Sequence, residues 1–261
     1  MRGLKRGWPV LFLLLILMAT GCGPSVQEAA PSPSGGDAPE SAPAREDARE
    51  EEPCLAILEW VDFLMINDIT YSRSYEASEP LPAGQLGEKV GEVSYMLNDH
   101  ACTDHATKNG DAAYLPIGTE IYAVKGYKPE FRVAANNKVY QVNSNPHAET
   151  LGDLWDIEGK VERVGLDNGN DGSPIGDFSP EATERLASEL LPLPYVGFDE
   201  VYERTKHEAS VFLRIYLEDG TSFRTVYYPI ANAFSAGAFG TKELGSLIML
   251  ERAQIKAAAG L

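Results

Sequence analysis

The segment Asn98-Asp99-His100-Ala101-Cys102-Thr103-Asp104-His105 gathers imidazole, thiol and carboxylate within eight residues. All three groups are ligands for first-row metals, and His or Asp can also serve as a general acid or base. In an extended chain His100, Cys102 and Asp104 would share one face. Ligands at i and i+2 crowd a tetrahedral centre, however, and the remaining His147 and His207 are isolated in the sequence. Three fates for Cys102 stay open: a disulfide with Cys54, a free thiol, or metal ligation. In a non-cytoplasmic compartment the disulfide is favoured. Closing a loop of about 48 residues would contribute about 3–4 kcal/mol by chain entropy. No metal site is therefore assigned, and His100, Asp104 and His105 are the candidates for any catalytic role.

Other motifs lead to weaker chemistry. Asp167-Asn168-Gly169-Asn170-Asp171-Gly172 echoes the start of an EF-hand loop, but position 3 is Gly169 and position 12 falls on Phe178. A polar turn is the expectation there. There is no Gly-x-Ser-x-Gly elbow, no His-Glu-x-x-His, no Ser-x-x-Lys, no Walker loop and no dinucleotide fingerprint. Ser235, flanked by Ala233-Phe234 and Ala236-Gly237, lacks the first glycine of the elbow and reads as a loop. Twelve tyrosines could form a carbohydrate- or peptide-binding face, or could simply border strands. No cofactor is expected.

These residues must be positioned by a β-rich body. Leu55–Ile66 and Ile69–Tyr71 across Asn67-Asp68 read as a hairpin, as do Phe131–Ala135 and Lys138–Val142 across Asn136-Asn137. Val90–Leu97, Glu120–Val124 and Gly159–Leu166 are further strands. Val211–Glu218 and Thr221–Tyr228 flank Asp219-Gly220, a pair suited to a type I′ turn. Ser179-Pro180-Glu181 starts a helix that Pro192 stops, with Ala182, Leu186, Leu190 and Leu193 as its apolar stripe. A second helix runs from Thr241 towards Lys256 on Leu244, Leu247, Ile248 and Ile255. The expectation is an α+β fold, mainly antiparallel sheet, with two helices in the C-terminal third. Residues 54–261 form this module, either as one domain or as two lobes meeting near 168.

The N-terminus says where the module sits. Arg2, Lys5 and Arg6 precede an apolar run from Val10 to Met18, which spans only about 14 Å as helix against a hydrocarbon core of about 30 Å. That layout is a secretory signal peptide over 1–21. Ala19-Thr20-Gly21-Cys22 resembles the lipobox of bacterial lipoproteins, with Ala19 where that family usually has Leu. The resemblance implies a diacylglycerol, with palmitate-type chains, on the Cys22 sulfur. Two buried acyl chains hold a protein on a bilayer where one is marginal. Residues 22–53 then carry one large aliphatic, Val26, and no aromatic, so they read as a disordered acidic Pro/Ala/Ser/Glu tether.

The chain has 261 residues and a formal net charge of −17, which argues against nucleic acid as a partner and against docking on anionic lipid through a basic patch. Leu115-Pro116-Ile117-Gly118-Thr119-Glu120-Ile121-Tyr122-Ala123-Val124-Lys125-Gly126-Tyr127 and Thr150-Leu151-Gly152-Asp153-Leu154-Trp155-Asp156-Ile157 resemble segments of uncharacterised bacterial surface lipoproteins. That resemblance carries no assigned activity. The expected protein is lipid-anchored outside the cytoplasm at the cell membrane and non-catalytic, and it binds a small ligand, a cell-wall component or a protein. The alternative is a lipid-anchored hydrolase using the Asp99–His105 region. An enzyme reading gains if those residues converge in a concavity with His147 or His207, and loses if they scatter.

Overall fold

A computed structural model of the protein describes residues 59–75, 80–98 and 100–261. Cys22, Cys54 and Asp99 lie outside the described residues, as do the signal-like segment and the tether. All the described residues fall in one compact unit.

Eight strands form the first sheet. They are β1 (Phe63–Ile66), β2 (Ile69–Arg73), β3 (Leu86–Glu92), β4 (Tyr95–Met96), β5 (Asp111–Ala112), β6 (Glu120–Val124), β7 (Arg132–Ala135) and β8 (Lys138–Ser144). Their spatial order is β3-β6-β7-β8-β2-β1-β5-β4. Since β3 and β4 are separated only by Val93-Ser94, one stretch of chain supplies both ends, and the sheet curls towards a small barrel. Val93 ties the curl at its closing point: its N–H donates to the Thr119 carbonyl and its carbonyl accepts from Gly118. Leu64, Tyr71, Val93, Ile121, Val133 and Tyr140 are buried in the core beneath this sheet. Both asparagine-led turns form as the sequence implies. Asn67 and Asp68 have φ of 52° and 63°, and Asn136 and Asn137 have 48° and 59°, so both central residues are left-handed in each hairpin.

The second sheet contains β9 (Val161–Asp167), β10 (Pro174–Asp177), β11 (Val211–Leu217), β12 (Ser222–Tyr228), β13 (Ala233–Phe234) and β14 (Ala238–Phe239). It is antiparallel throughout, in the order β10-β9-β11-β12-β13-β14. Strand β11 alternates strictly, with Val211, Leu213, Ile215 and Leu217 buried and Phe212, Arg214 and Tyr216 half-buried on the other face. The turn around residue 168 joins β9 to β10, which pair with each other, and one core cluster takes residues from both sheets.

The fold is therefore α+β on mainly antiparallel sheet, the one parallel pair among the described residues being β4 with β5. The helix count differs from expectation. Four helices occur among the described residues: α1 (Leu151–Leu154), α2 (Pro180–Leu190), α3 (Phe198–Thr205) and α4 (Lys242–Ala258). Helices α2 and α4 are the two read from sequence; the Ser179 and Thr241 hydroxyls cap them, accepting from Ala182 and Leu244 N–H. Helix α3 buries only Val201 and Thr205 and follows Gly197, which has no capping side chain. With so narrow an apolar stripe it gives little periodic signal. One further expectation is corrected. At Asp219-Gly220 only Gly220 is left-handed (φ 81°), and its N–H donates to the Leu217 carbonyl, so the hairpin has a three-residue loop instead of a type I′ turn.

Candidate functional site

His105 is half-buried, and its Nε2 lies 2.7 Å from Oδ2 of Asp111, a buried carboxylate at the start of β5. A carboxylate accepts, so Nε2 carries the hydrogen. The same Oδ2 accepts the Lys108 N–H at 2.9 Å, whereas Asp111 Oδ1 is buried with no partner among the described residues. The imidazole stacks on Tyr95, ring centres 5.1 Å apart. His100 is exposed, its Nδ1 2.8 Å from the Asn98 carbonyl oxygen, and Asp104 is exposed. His147 stands 4.0 Å from Asp68 with its side chain 66% exposed, and His207 is exposed beyond α3. Cys102 is not a free thiol: it is disulfide-bonded. No group of three or more His, Cys, Asp or Glu that could hold a metal occurs among the described residues. The cluster resolves into one ordered His–Asp pair inside a turn-rich segment and scattered surface groups, and none of the cavities described below is lined by them.

The other singled-out residues have structural partners. Asp167 is buried at the end of β9, its Oδ2 accepting from Arg214 Nε at 2.9 Å and lying 3.3 Å from Arg224 Nε. Asp171 Oδ1 accepts from both the N–H and the hydroxyl of Ser173, closing the following turn. Ser235 accepts the Val226 N–H within the β13–β14 turn. The tyrosines share no common face: Tyr71, Tyr140 and Tyr227 are buried, whereas Tyr75, Tyr114 and Tyr202 are exposed.

A concavity lies where the turn between β11 and β12 meets the barrel. It encloses about 660 Å³, within the range of small-molecule sites. Pro80, Leu81, Pro82, Val124 and Val139 form its apolar walls; Tyr127, Lys125, Lys160, Glu218, Asp219 and Thr221 supply the polar groups.

Behind this cavity is a buried arginine. Arg132 in β7 is only 1% exposed. Its Nε and Nη2 donate to Gln141 Oε1, directly across the ladder on β8, at 3.0 and 2.9 Å. Its Nη1 donates to Thr221 Oγ1 at 2.8 Å and lies 3.5 Å from Asp219 Oδ2. Tyr127 donates its hydroxyl to Asp219 Oδ2 at 2.7 Å, and Asp219 Oδ1 accepts the N–H and hydroxyl of Thr221. Partial burial pushes the Asp219 carboxyl up, but hydrogen bonds from Thr221 and Tyr127 and the Arg132 charge outweigh it. The group is held below the usual carboxylate range. Burial and the bond to Asp219 push the Tyr127 phenol well above its ordinary value. Burial also pulls the Arg132 guanidinium down, against the charges of Tyr127 and Asp219.

Aromatic rings complete the joint. Tyr127 packs on Phe131 at 5.5 Å, Phe131 on Phe223 at 6.0 Å, and Phe223 on Trp155 at 5.1 Å. This row runs from the barrel into the second sheet, each pair tilted or edge-on as ring quadrupoles prefer. The β11–β12 turn is thus fixed on the barrel by one ion pair, several hydrogen bonds and a line of rings.

The strip 127–128 with 156–160 divides this cavity from a second. Tyr127 and Lys160 line the first, and their neighbours Lys128, Gly159 and Val161 line the second. Lys160 Nζ crosses the strip to Asp156 Oδ2 at 2.7 Å while lying 4.8 Å from the centre of the Tyr127 ring.

Sequence reasoning missed Arg132, which it absorbed into an apolar strand. The usable signal was the charge itself: one arginine inside Phe131-Arg132-Val133-Ala134-Ala135, all buried, demands partners. Among the described residues, no helix is long and apolar enough to cross a membrane. No family model, curated protein or solved structure matches this chain.

Proposed function

We propose that the protein is a non-catalytic ligand-binding module, held outside the cytoplasm on a bacterial membrane by lipid on Cys22. Its ligand is small and has an uncharged, largely apolar body. The observation that carries the binding reading is the cavity between Leu81, Val139, Tyr127 and Thr221, apolar in its walls and fixed from behind by Arg132. Three of its polar groups are already engaged: Asp219 by Tyr127 and Thr221, Lys160 by Asp156, and Lys125 by the Gly84 carbonyl. Groups so occupied orient a ligand without activating a nucleophile. No histidine, cysteine or serine is among its described lining residues.

Anchoring is supported by the lipobox-like Ala19-Thr20-Gly21-Cys22 after a run too short to span a bilayer. The acidic segment 22–53 serves as the spacer. Within the module, Cys54 pairs with Cys102, leaving Cys22 for lipid. The hydrolase alternative on Asp99–His105 is not favoured by either cavity, since no described residue of that segment lines them.

Two measurements test the proposal. Cys22→Ser should move the protein from the membrane fraction to the soluble fraction; full retention on membranes would overturn the anchor. Titrating the full chain with indole should give saturable binding that Val139→Trp, which fills the cavity, abolishes. Binding unchanged in that variant, or no saturable binding, would overturn the ligand site.

A further inference from the structure

The second cavity encloses about 690 Å³ beside α2. Its inner wall is Trp155 with Thr183, Ala187 and Leu191, three positions spaced by four that present one stripe of α2 and its C-cap. On that stripe the Thr183 hydroxyl is 96% buried by residue and has no hydrogen-bond partner among the described residues. A polar group left so is unfavourable unless something completes it.

The mouth differs sharply in charge from the wall. Asp153, Asp156, Glu158 and Glu184 stand there with Lys128. Asp153 is held below the usual carboxylate range by the Thr150 side chain and the Thr150 and Glu149 N–H groups, so it is anionic at neutral pH. Glu158 and Glu184 have no ion-pair partner among the described residues, and both are exposed.

We propose that this second cavity binds a small organic ammonium, its alkyl stem on the wall of Trp155, Ala187 and Leu191 and its nitrogen among the carboxylates of the mouth. The strip dividing the two cavities already holds the same arrangement in its own residues. There the Lys160 ammonium sits over the Tyr127 ring and against Asp156. Across that strip the second cavity offers an indole and unpaired carboxylates to an ammonium from outside. The ligand is organic because no carboxylate group there has the arrangement of a metal site and because the wall is apolar. The net charge of −17 favours the approach of cations from solution.

The test titrates the full chain, at constant ionic strength, with n-butylammonium chloride, n-butanol and sodium butyrate. Binding is read by calorimetry and by the indole N–H resonance of Trp155, assigned with Trp155→Phe. Butylammonium should saturate and shift that resonance, butanol should bind at least about tenfold more weakly, and butyrate should not bind. The double variant Glu158→Gln/Glu184→Gln, both surface changes, should keep its melting temperature and weaken butylammonium binding about fivefold to tenfold. Equal affinity for butanol, no saturable response at Trp155, or unchanged affinity in the double variant would each overturn the proposal. Because the probe and variants differ from those of the first cavity, either site can fail alone.

Discussion

The turn around His105 and the joint around Arg132 are made of similar material. Each has a buried charged group, an oppositely charged or ionisable partner, and an aromatic ring against it: Asp111 with His105 and Tyr95 in one, Arg132 with Asp219 and Tyr127 in the other. They differ in what surrounds them. The His105 pair closes a short-range turn, its partners six residues apart, and lines neither of the two cavities described above. The Arg132 network links residues 89 positions apart and backs a concavity. Residue types capable of chemistry do not by themselves make a concavity; here a long-range polar joint backs one.

The comparison can be broken first at Arg132. Arg132→Ala strands Gln141, Thr221 and Asp219 together and should cost about 3–4 kcal/mol, read as a fall in the urea midpoint with indole binding lost. Asp111→Ala removes the partners of His105 and of the Lys108 N–H; it should cost about 2 kcal/mol yet leave indole affinity unchanged. His105→Ala should cost about 1 kcal/mol and likewise spare binding, whereas loss of binding in either variant would move the site to the turn. Thr150→Ala, which removes the capping box over α1, should cost about 1 kcal/mol.

The smallest effect expected is one of pH. Asp219 titrates below its ordinary value in the folded protein, so its stabilising contribution is complete above the unfolded pKa of about 3.9 and is lost as pH falls through the folded value. Asp219→Asn should therefore lower stability at neutral pH and flatten the decline below about pH 4. A variant with the same acid slope as the parent would show that the joint does not hold the Asp219 carboxylate.

Local features of the fold were legible because they are governed by neighbours in sequence. Asn67-Asp68 and Asn136-Asn137 tolerate left-handed backbone, and both turns follow. Ser179-Pro180 announces α2 in the same way. The one-turn helix α1 carried a readable signal too, since Thr150 and Asp153 have the spacing of a capping box. Strands β5 and β13, two residues each, pair with the longer β1 and β12, and the two-residue β14 pairs with β13 in turn, so no pattern within them could reveal them. The candidate site was less legible still. Tyr127, Arg132, Thr221 and the wall of Leu81 and Val139 come from separate elements, and only the closing of the barrel against the β11–β12 turn brings them together. The His105 segment drew attention because its chemistry is contiguous, which is a property of the chain and not of the folded surface.

The most direct test of where this protein binds is an amide chemical-shift map of the full chain titrated with indole. The account predicts saturable shifts grouped at Gly126, Tyr127, Gly220 and Thr221, with His100, His105 and Asp111 unmoved. Shifts centred on His105 and Asp111, with the β11–β12 turn silent, would contradict it.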